Sequence, residues 1–203
     1  KGRLRPLLPI CLCVVALCAA LAARGAEGSA GTLAVSVLDV GQGQSILLRS
    51  GDALALVDCG GNGLQDAGDT AADAVQALGR TRLDLLILTH CHADHAGGVP
   101  QLLDRLEVGA ILLPDTDPEE GLRAEILALA GARDIPVILL GENGTAALGE
   151  AELTLYAPLG DGGANEEGLS VLCTAGDFDL LITGDMNQVV ERRLLKYGDL
   201  PDI

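Results

Sequence analysis

Apolar and polar positions alternate over Leu33–Val40, the period of a half-buried strand. A turn follows at Gly41-Gln42-Gly43-Gln44, and strand character returns over Ser45–Leu48 and Ala53–Val57. The third run ends at Asp58-Cys59-Gly60-Gly61, so the opening reads as a small β meander. Asp69–Leu78 has helical character with Asp69 or Thr70 as its cap. Leu83–Thr89 is a short apolar strand, Val99–Leu106 a helix and Ala110–Leu113 a strand. Pro118–Ala130 predicts a helix, with Leu122, Ile126 and Leu129 at helical spacing and Gly131 just past its end. Pro136–Leu140 is another strand.

The second half returns to β structure. Thr145–Leu148, Ala151–Tyr156, Leu169–Thr174 and Phe178–Ile182 are strands, the last two joined by Ala175-Gly176-Asp177. Thr183-Gly184-Asp185 follows, then a helix over Asn187–Lys196. Pro201-Asp202-Ile203 looks like the lead-in to a further strand. Strands bracketing each half with helices between predict an α/β fold: two sheets face to face, helices outside.

The chain divides on composition into residues 1–24, a linker over 25–32 and a domain over 33–203. Leu7–Ala23 is seventeen residues without a charge, preceded by Lys1, Arg3 and Arg5. A transmembrane helix and a signal segment leaving at Ala20-Leu21-Ala22 both fit. Either reading puts the basic end inside and the domain outside the cytoplasm, membrane-anchored or secreted.

Charge sharpens the picture of the domain. The formal net charge is −16, and residues 1–24 hold four of the 13 cations and no acid. The rest is strongly acidic and repels phosphate backbones on average. Bound metal or a basic patch around Arg80, Arg82 and Arg105 would have to offset that field. Three of the six cysteines lie in the N-terminal run, and Cys59, Cys91 and Cys173 match no zinc-ribbon spacing, so free and mostly buried thiols are expected.

The chemistry is concentrated at Thr89-His90-Cys91-His92-Ala93-Asp94-His95, which holds all three histidines of the chain. Imidazole and carboxylate suit borderline divalent metals. Packing alone does not account for three imidazoles so close together, since each would need its own buried partner. His90 and His92 sit two apart just past a strand and can point the same way. Asp94 and His95 lie on the next turn and can face a second metal. Asp58 and Asp185 also follow apolar strands, and strand ends gathered on one edge are where α/β folds place their sites. Cys91, between two ligand candidates, is expected to face away. A bound divalent ion makes hydroxide available at neutral pH, so the chemistry implied is hydrolytic. No Walker loop, nucleophile elbow or dinucleotide fingerprint competes with it.

His90-x-His92-x-Asp94-His95 resembles the signature of the metallo-β-lactamase superfamily. Asp39-Val40-Gly41-Gln42-Gly43-Gln44-Ser45 looks like the DVGQGDS opening of the C-terminal domain of ComEC-type competence proteins. Asn165 through Ser170, followed by Thr183-Gly184-Asp185, resembles the same branch. The resemblance runs from about residue 33 to the end. It implies a four-layer αββα sandwich with His90 and His92 on one metal, Asp94 and His95 on a second, and Asp185 as a bridge. Asp94 and Asp185 become the catalytic acids, with Asp58, Asn165, Ser170 and Asp39 in support. The cofactor implied is one or two divalent ions, zinc or manganese.

The branch implies a phosphodiesterase or nuclease acting on DNA during natural transformation, attached to a DNA-uptake channel through a membrane helix at residues 7–23. Three departures stand out. No further histidine lies between the cluster and Thr183-Gly184-Asp185, where the superfamily commonly has one, which leaves the first metal short of a ligand. Gln44 occupies the position of the acid in DVGQGDS. The His-His-Gly-Ser motif that closes the branch's site would lie past Ile203, so the domain is expected to be C-terminally incomplete. A secreted metallo-hydrolase of a small substrate and a catalytically inert channel-associated module are the alternatives.

Overall fold

The computed structural model describes residues 7–27, 33–116, 121–160, 163, 165–197 and 200–201. Helix α1 spans Leu7–Glu27. Strands β1 (Leu33–Val37), β2 (Ile46–Ser50) and β3 (Ala53–Val57) form the meander. Helix α2 (Ala67–Ala77) leads to β4 (Arg82–Leu83) and β5 (Leu85–Ile87). Helices α3 (Ala93–Ala96) and α4 (Val99–Arg105) precede β6 (Glu107–Val108) and β7 (Ile111–Pro114). Helix α5 (Gly121–Ala132) precedes β8 (Val137–Leu140). Then come β9 (Gly144–Leu148), β10 (Ala151–Tyr156), β11 (Ser170–Ala175), β12 (Phe178–Ile182) and α6 (Gln188–Leu194), which tightens into a 3-10 turn at Leu195–Tyr197.

One sheet has six strands in the order β1-β2-β3-β5-β7-β8, antiparallel as far as β3 and parallel from there on. The second is an antiparallel sheet, β12-β11-β10-β9. The inner strands of the first sheet are apolar at successive positions because both of their faces are covered. Leu54 and Leu56 of β3, Leu86 of β5, and Ile111 and Leu113 of β7 face the core under α2, α4 and α5. Their neighbours Ala55, Val57, Ile87 and Leu112 face the core between the sheets, against Leu153, Leu155, Val171 and Cys173. Each such leucine taken fully out of water contributes about 2 kcal/mol. Leu194 of α6 packs on Tyr156 and Leu172 at the outer face of the second sheet. Helices, two sheets and a helix are therefore stacked in order, the α/β architecture expected.

Boundaries moved where capping chemistry overrode periodicity. Helix α2 starts at Ala67 because Asp66 accepts from the backbone N–H of Gly68 at 2.7 Å; Asp69 lies inside the first turn. Helix α5 runs on through Gly131 to Ala132, and Ile126 is buried with Leu122 and Leu129 against the same core. Residues 118–120 of the expected helix lie outside the described residues. Asn187 caps α6, accepting from Val189 and Val190, which leaves Asp185 free of a capping role. The parallel pair β4–β6 and the short helix α3 were not legible in the sequence.

The N-terminal expectations need correction. Helix α1 covers residues 7–23 and runs three residues into the stretch read as a linker. Yet among the described residues no helix is long and apolar enough to cross a membrane. That finding overturns the membrane anchor, the membrane partner and the membrane-anchored placement of the domain, all of which rested on a spanning segment. The remainder of the linker, residues 28–32, and Asp202 and Ile203 of the expected last strand lie outside the described residues.

Candidate metal centre

Strands β3 and β5 are parallel neighbours, so the residues after their C-terminal ends emerge side by side. Asp58 follows β3 in a left-handed backbone conformation (φ 61°) and is fully buried. Its N–H donates to the carbonyl of Ile87 at 2.8 Å, which ties the turn to β5. Thr89 sits opposite. Its backbone N–H donates to Asp58 Oδ1 at 2.7 Å and its hydroxyl to Oδ2 at 2.8 Å. Oδ2 also faces Gln44 Nε2 and His95 Nδ1, each at 2.7 Å. The buried carboxylate is thus surrounded by donors, which offsets the cost of burying it.

These bonds fix the proton positions on two imidazoles. The Thr89 hydroxyl has one hydrogen and gives it to Asp58, so toward His90 Nδ1, 3.1 Å away, it acts as acceptor. His90 therefore carries its proton on Nδ1. His95 likewise places a proton on Nδ1, donated to Asp58. On each ring Nε2 is then the end without that proton, and on His90 it lies 3.1 Å from His92 Nδ1. His95 Nε2 stands 3.1 Å from Asp185 Oδ1, and the ring centroids of His90 and His95 are 4.2 Å apart.

One ligand atom each from His90, His95 and Asp185 lies within 4.8 Å of the others, a group that could hold an ion. The donor set fits a divalent cation: two imidazole nitrogens and a carboxylate on a half-exposed edge suit zinc or manganese. Two glycines make the convergence possible. A Cβ on Gly60 would stand 2.3 Å from the backbone nitrogen of His95, so the 58–61 turn and α3 can touch only through a glycine. Gly184 has φ 57°, and a Cβ there would lie 2.8 Å from Thr89 Oγ1; the turn after β12 uses that space to bring Asp185 to His95.

The remaining expected residues fall into two groups. His92 is exposed and caps α3, with its Nδ1 3.1 Å from His90 Nε2; Asp94 is half-buried on α3. Neither belongs to the His90–His95–Asp185 group. Asp39 is exposed and accepts from the N–H of Gly41 at 3.4 Å, a turn role. Ser170 is buried at the start of β11, next to Leu169, whose N–H donates to the Thr89 carbonyl at 2.9 Å. Asn165 Oδ1 and Ser170 Oγ are buried without a hydrogen-bond partner among the described residues.

The surroundings set the charge states. Burial pushes His90 down to about 4, and the neighbouring His95 and His92 add to the effect, so its imidazole is neutral near pH 7. Burial alone would lower His95, but its bond to Asp58 and the charges of Asp58, Asp185 and Asp94 outweigh that and raise it. Burial raises Asp58, opposed by its bonds to His95 and Thr89. Cys59 is pushed far up by burial and by the charges of Asp66 and Asp58, so it stays a thiol and not a thiolate ligand. Cys91 packs in the helix-side core. All six cysteines are free, with Cys59, Cys91 and Cys173 buried.

Residues 38–203 match the Metallo-beta-lactamase superfamily. The chain belongs to that superfamily. The metallo-β-lactamase domain is 36% identical to competence protein ComA of Neisseria gonorrhoeae over 90 residues, 44% of this chain and 13% of that protein. It is 46% identical to ribonuclease Z of Mycolicibacterium paratuberculosis over 61 residues, 30% of this chain and 20% of that protein. The chain thus spans a small part of the curated relatives it matches. Among solved structures it is similar to CmlA, a diiron β-hydroxylase from Streptomyces venezuelae, at TM-score 0.55 and 23% identity, covering 83% of this chain and 33% of that one. That likeness shows the metallo-β-lactamase fold alone.

Thr89 is the site residue that sequence reading passed over, and Gln44 was noted only as a departure from the DVGQGDS pattern. Thr89 had a signal: it directly precedes the histidine cluster at a strand end. Gln44 had only its place in the DVGQG-like turn, because its contact with Asp58 is made across 14 residues by the sheet.

Proposed function

We propose that the chain is a metal-dependent hydrolase that cleaves phosphodiester bonds, a nuclease whose DNA substrate is met during natural transformation. The observation that carries the hydrolase reading is the convergence of His90, His95 and Asp185, with His95 Nε2 3.1 Å from Asp185 Oδ1. A divalent ion held there would supply Lewis acidity and hydroxide at neutral pH. The chain's own residues do the rest. Asp58 and Thr89 hold the ring protons on Nδ1. Asp185 lines the open side, and Asp94 adds negative charge at the rim, the acidic groups through which this reading runs catalysis. His92 extends the donor set beside His90. Asp39, Asn165 and Ser170 support the surrounding turns in this reading.

The phosphodiester substrate rests on the kinds of protein that resemble this one, a competence protein and a ribonuclease. Charge argues for metal as the phosphate-binding element. Arg80 pairs with Asp52, Arg82 with Glu107 at 3.8 Å, and Arg105 with Asp69 and Asp73 at 2.9 and 2.6 Å. These three arginines are neutralised locally and do not form the basic patch that a long nucleic-acid backbone would use. The same pairing favours, as a second reading, hydrolysis of a small substrate that needs only the metal edge.

The test is cleavage of labelled single- and double-stranded DNA, RNA and bis-p-nitrophenyl phosphate by zinc- or manganese-loaded protein, beside an Asp185→Asn variant. DNA cleavage that is lost with Asp185→Asn and with chelator supports the nuclease. Turnover of the small diester alone moves the assignment to the second reading. Metal-loaded protein that cleaves none of them, or protein that takes up no metal, returns the inert-module reading.

A further inference from the structure

Gln44 stands where the resembling branch carries an acid, and the structure gives the amide a use that a carboxylate could not fill. Its backbone is clamped on both sides of the centre: its N–H donates to the Asp94 carbonyl at 2.9 Å, and its carbonyl accepts from Gly60 at 3.1 Å. The side chain then has one reach, to Asp58 Oδ2, and Nε2 arrives at 2.7 Å. The same oxygen receives the Thr89 hydroxyl and faces His95 Nδ1. A carboxylate at position 44 would bring a second negative charge against a fully buried Asp58, with no hydrogen to offer.

We propose that Gln44 is a positioning residue for the metal centre: its amide holds Asp58 turned toward His95 Nδ1, and so keeps His95 Nε2 directed at Asp185. This rests on the metal-centre reading given above. The Gln44 amide adds a donor to those that Thr89 and His95 bring to Asp58. The Gln44 side chain bonds Asp58. Its effect on the centre passes through Asp58.

The experiment compares the whole chain with Gln44→Met, which has similar length and no donor, and with Gln44→Glu, which puts an acceptor in the same place. Gln44→Asn keeps an amide one methylene short and serves as the conservative rescue. Two readouts are used: zinc affinity by competition with a chromophoric chelator, and the imidazole Nδ1–H resonances of the metal-free protein, which has three histidines to resolve. In the parent one histidine is expected to show an exchange-protected Nδ1–H bonded to a carboxylate. Gln44→Met should weaken zinc binding about tenfold and lose that protection, Gln44→Glu more so, with Gln44→Asn between parent and Met. Zinc affinity and Nδ1–H protection unchanged in both Gln44→Met and Gln44→Glu would overturn the role of Gln44. Should Gln44→Met lose the native fold by circular dichroism, Gln44→Asn carries the comparison, and a parent-like spectrum and affinity there and in Gln44→Glu overturn the proposal. If the parent takes up no zinc, the metal-centre reading fails by itself, while the metal-free spectra still report whether Gln44 protects the His95 proton.

Discussion

Asp58 and His95 meet edge-on in the buried floor of the site, Oδ2 2.7 Å from Nδ1, on the side of the ring opposite Asp185. The carboxylate never reaches the exposed edge, so its influence on an ion is exerted through ring orientation and proton placement. Asp58→Asn keeps the shape but presents a neutral oxygen or an N–H to His95. Zinc affinity should fall about 10–100-fold, the usual cost of losing the partner behind a ligating histidine. Isothermal titration of both proteins measures it; equal affinities would remove Asp58 from the centre.

Thr89 serves two masters, giving a hydrogen to Asp58 and receiving one from His90. Thr89→Val preserves volume and removes both. It leaves a buried carboxylate short of a donor, a loss of about 1–3 kcal/mol. Urea unfolding of the metal-free protein should show that loss, and Thr89→Ser should recover most of it. Val and Ser variants of equal stability would contradict the relay.

Gly184 is the hinge of a contact rather than a member of it. Gly184→Ala puts a Cβ 2.8 Å from Thr89 Oγ1 and places alanine at φ 57°. The strained backbone costs about 1–3 kcal/mol, and relief moves Asp185 away from His95. Both the thermal midpoint and zinc affinity should drop. A variant that loses stability but binds zinc as the parent does would show that Asp185 is not held by this turn.

Acid should unsettle the metal-free protein partly through His90. Its pKa is pushed down to about 4 from 6.5. Between those values the unfolded chain holds a proton that the native chain does not, so native stability from this group is present above 6.5 and is lost as pH falls toward 4. His95 has the opposite sign: it is raised, so its contribution is present below 6.5 and is lost as pH climbs through its raised value. Thermal midpoints from pH 7 to 4, with chelator present, should fall more steeply for the parent than for His90→Asn, which has no such proton to gain. Parallel curves would mean that His90 is not held neutral by burial.

Much of the fold was legible because each inner strand declares itself by an unbroken apolar run. Val57 and Ile87 end two such runs; Asp58 was placed at the site on that ground, and the His90 cluster on that ground together with its ligand residue types. What sequence could not show was depth. Asp58 reads as a polar turn residue, yet it is fully buried because Thr89, Gln44 and His95 supply its hydrogen bonds from three other segments. His92 and His95 look equivalent in the motif, yet one faces solvent and the other is packed beneath it. The N-terminal run misled because a stretch without charge need not meet the length and hydropathy of a span, which no helix does among the described residues.

The three grouped donors come from opposite halves of the chain: His90 and His95 follow a strand of the six-stranded sheet, and Asp185 follows the last strand of the other. An ion shared among them would act as a staple across the sandwich. Loaded protein would then come apart in one step, its midpoint climbing with metal concentration by mass action. Stripped protein would be free to open along the seam between its sheets, with amide exchange in β11 and β12 quickening before that in β3 and β5.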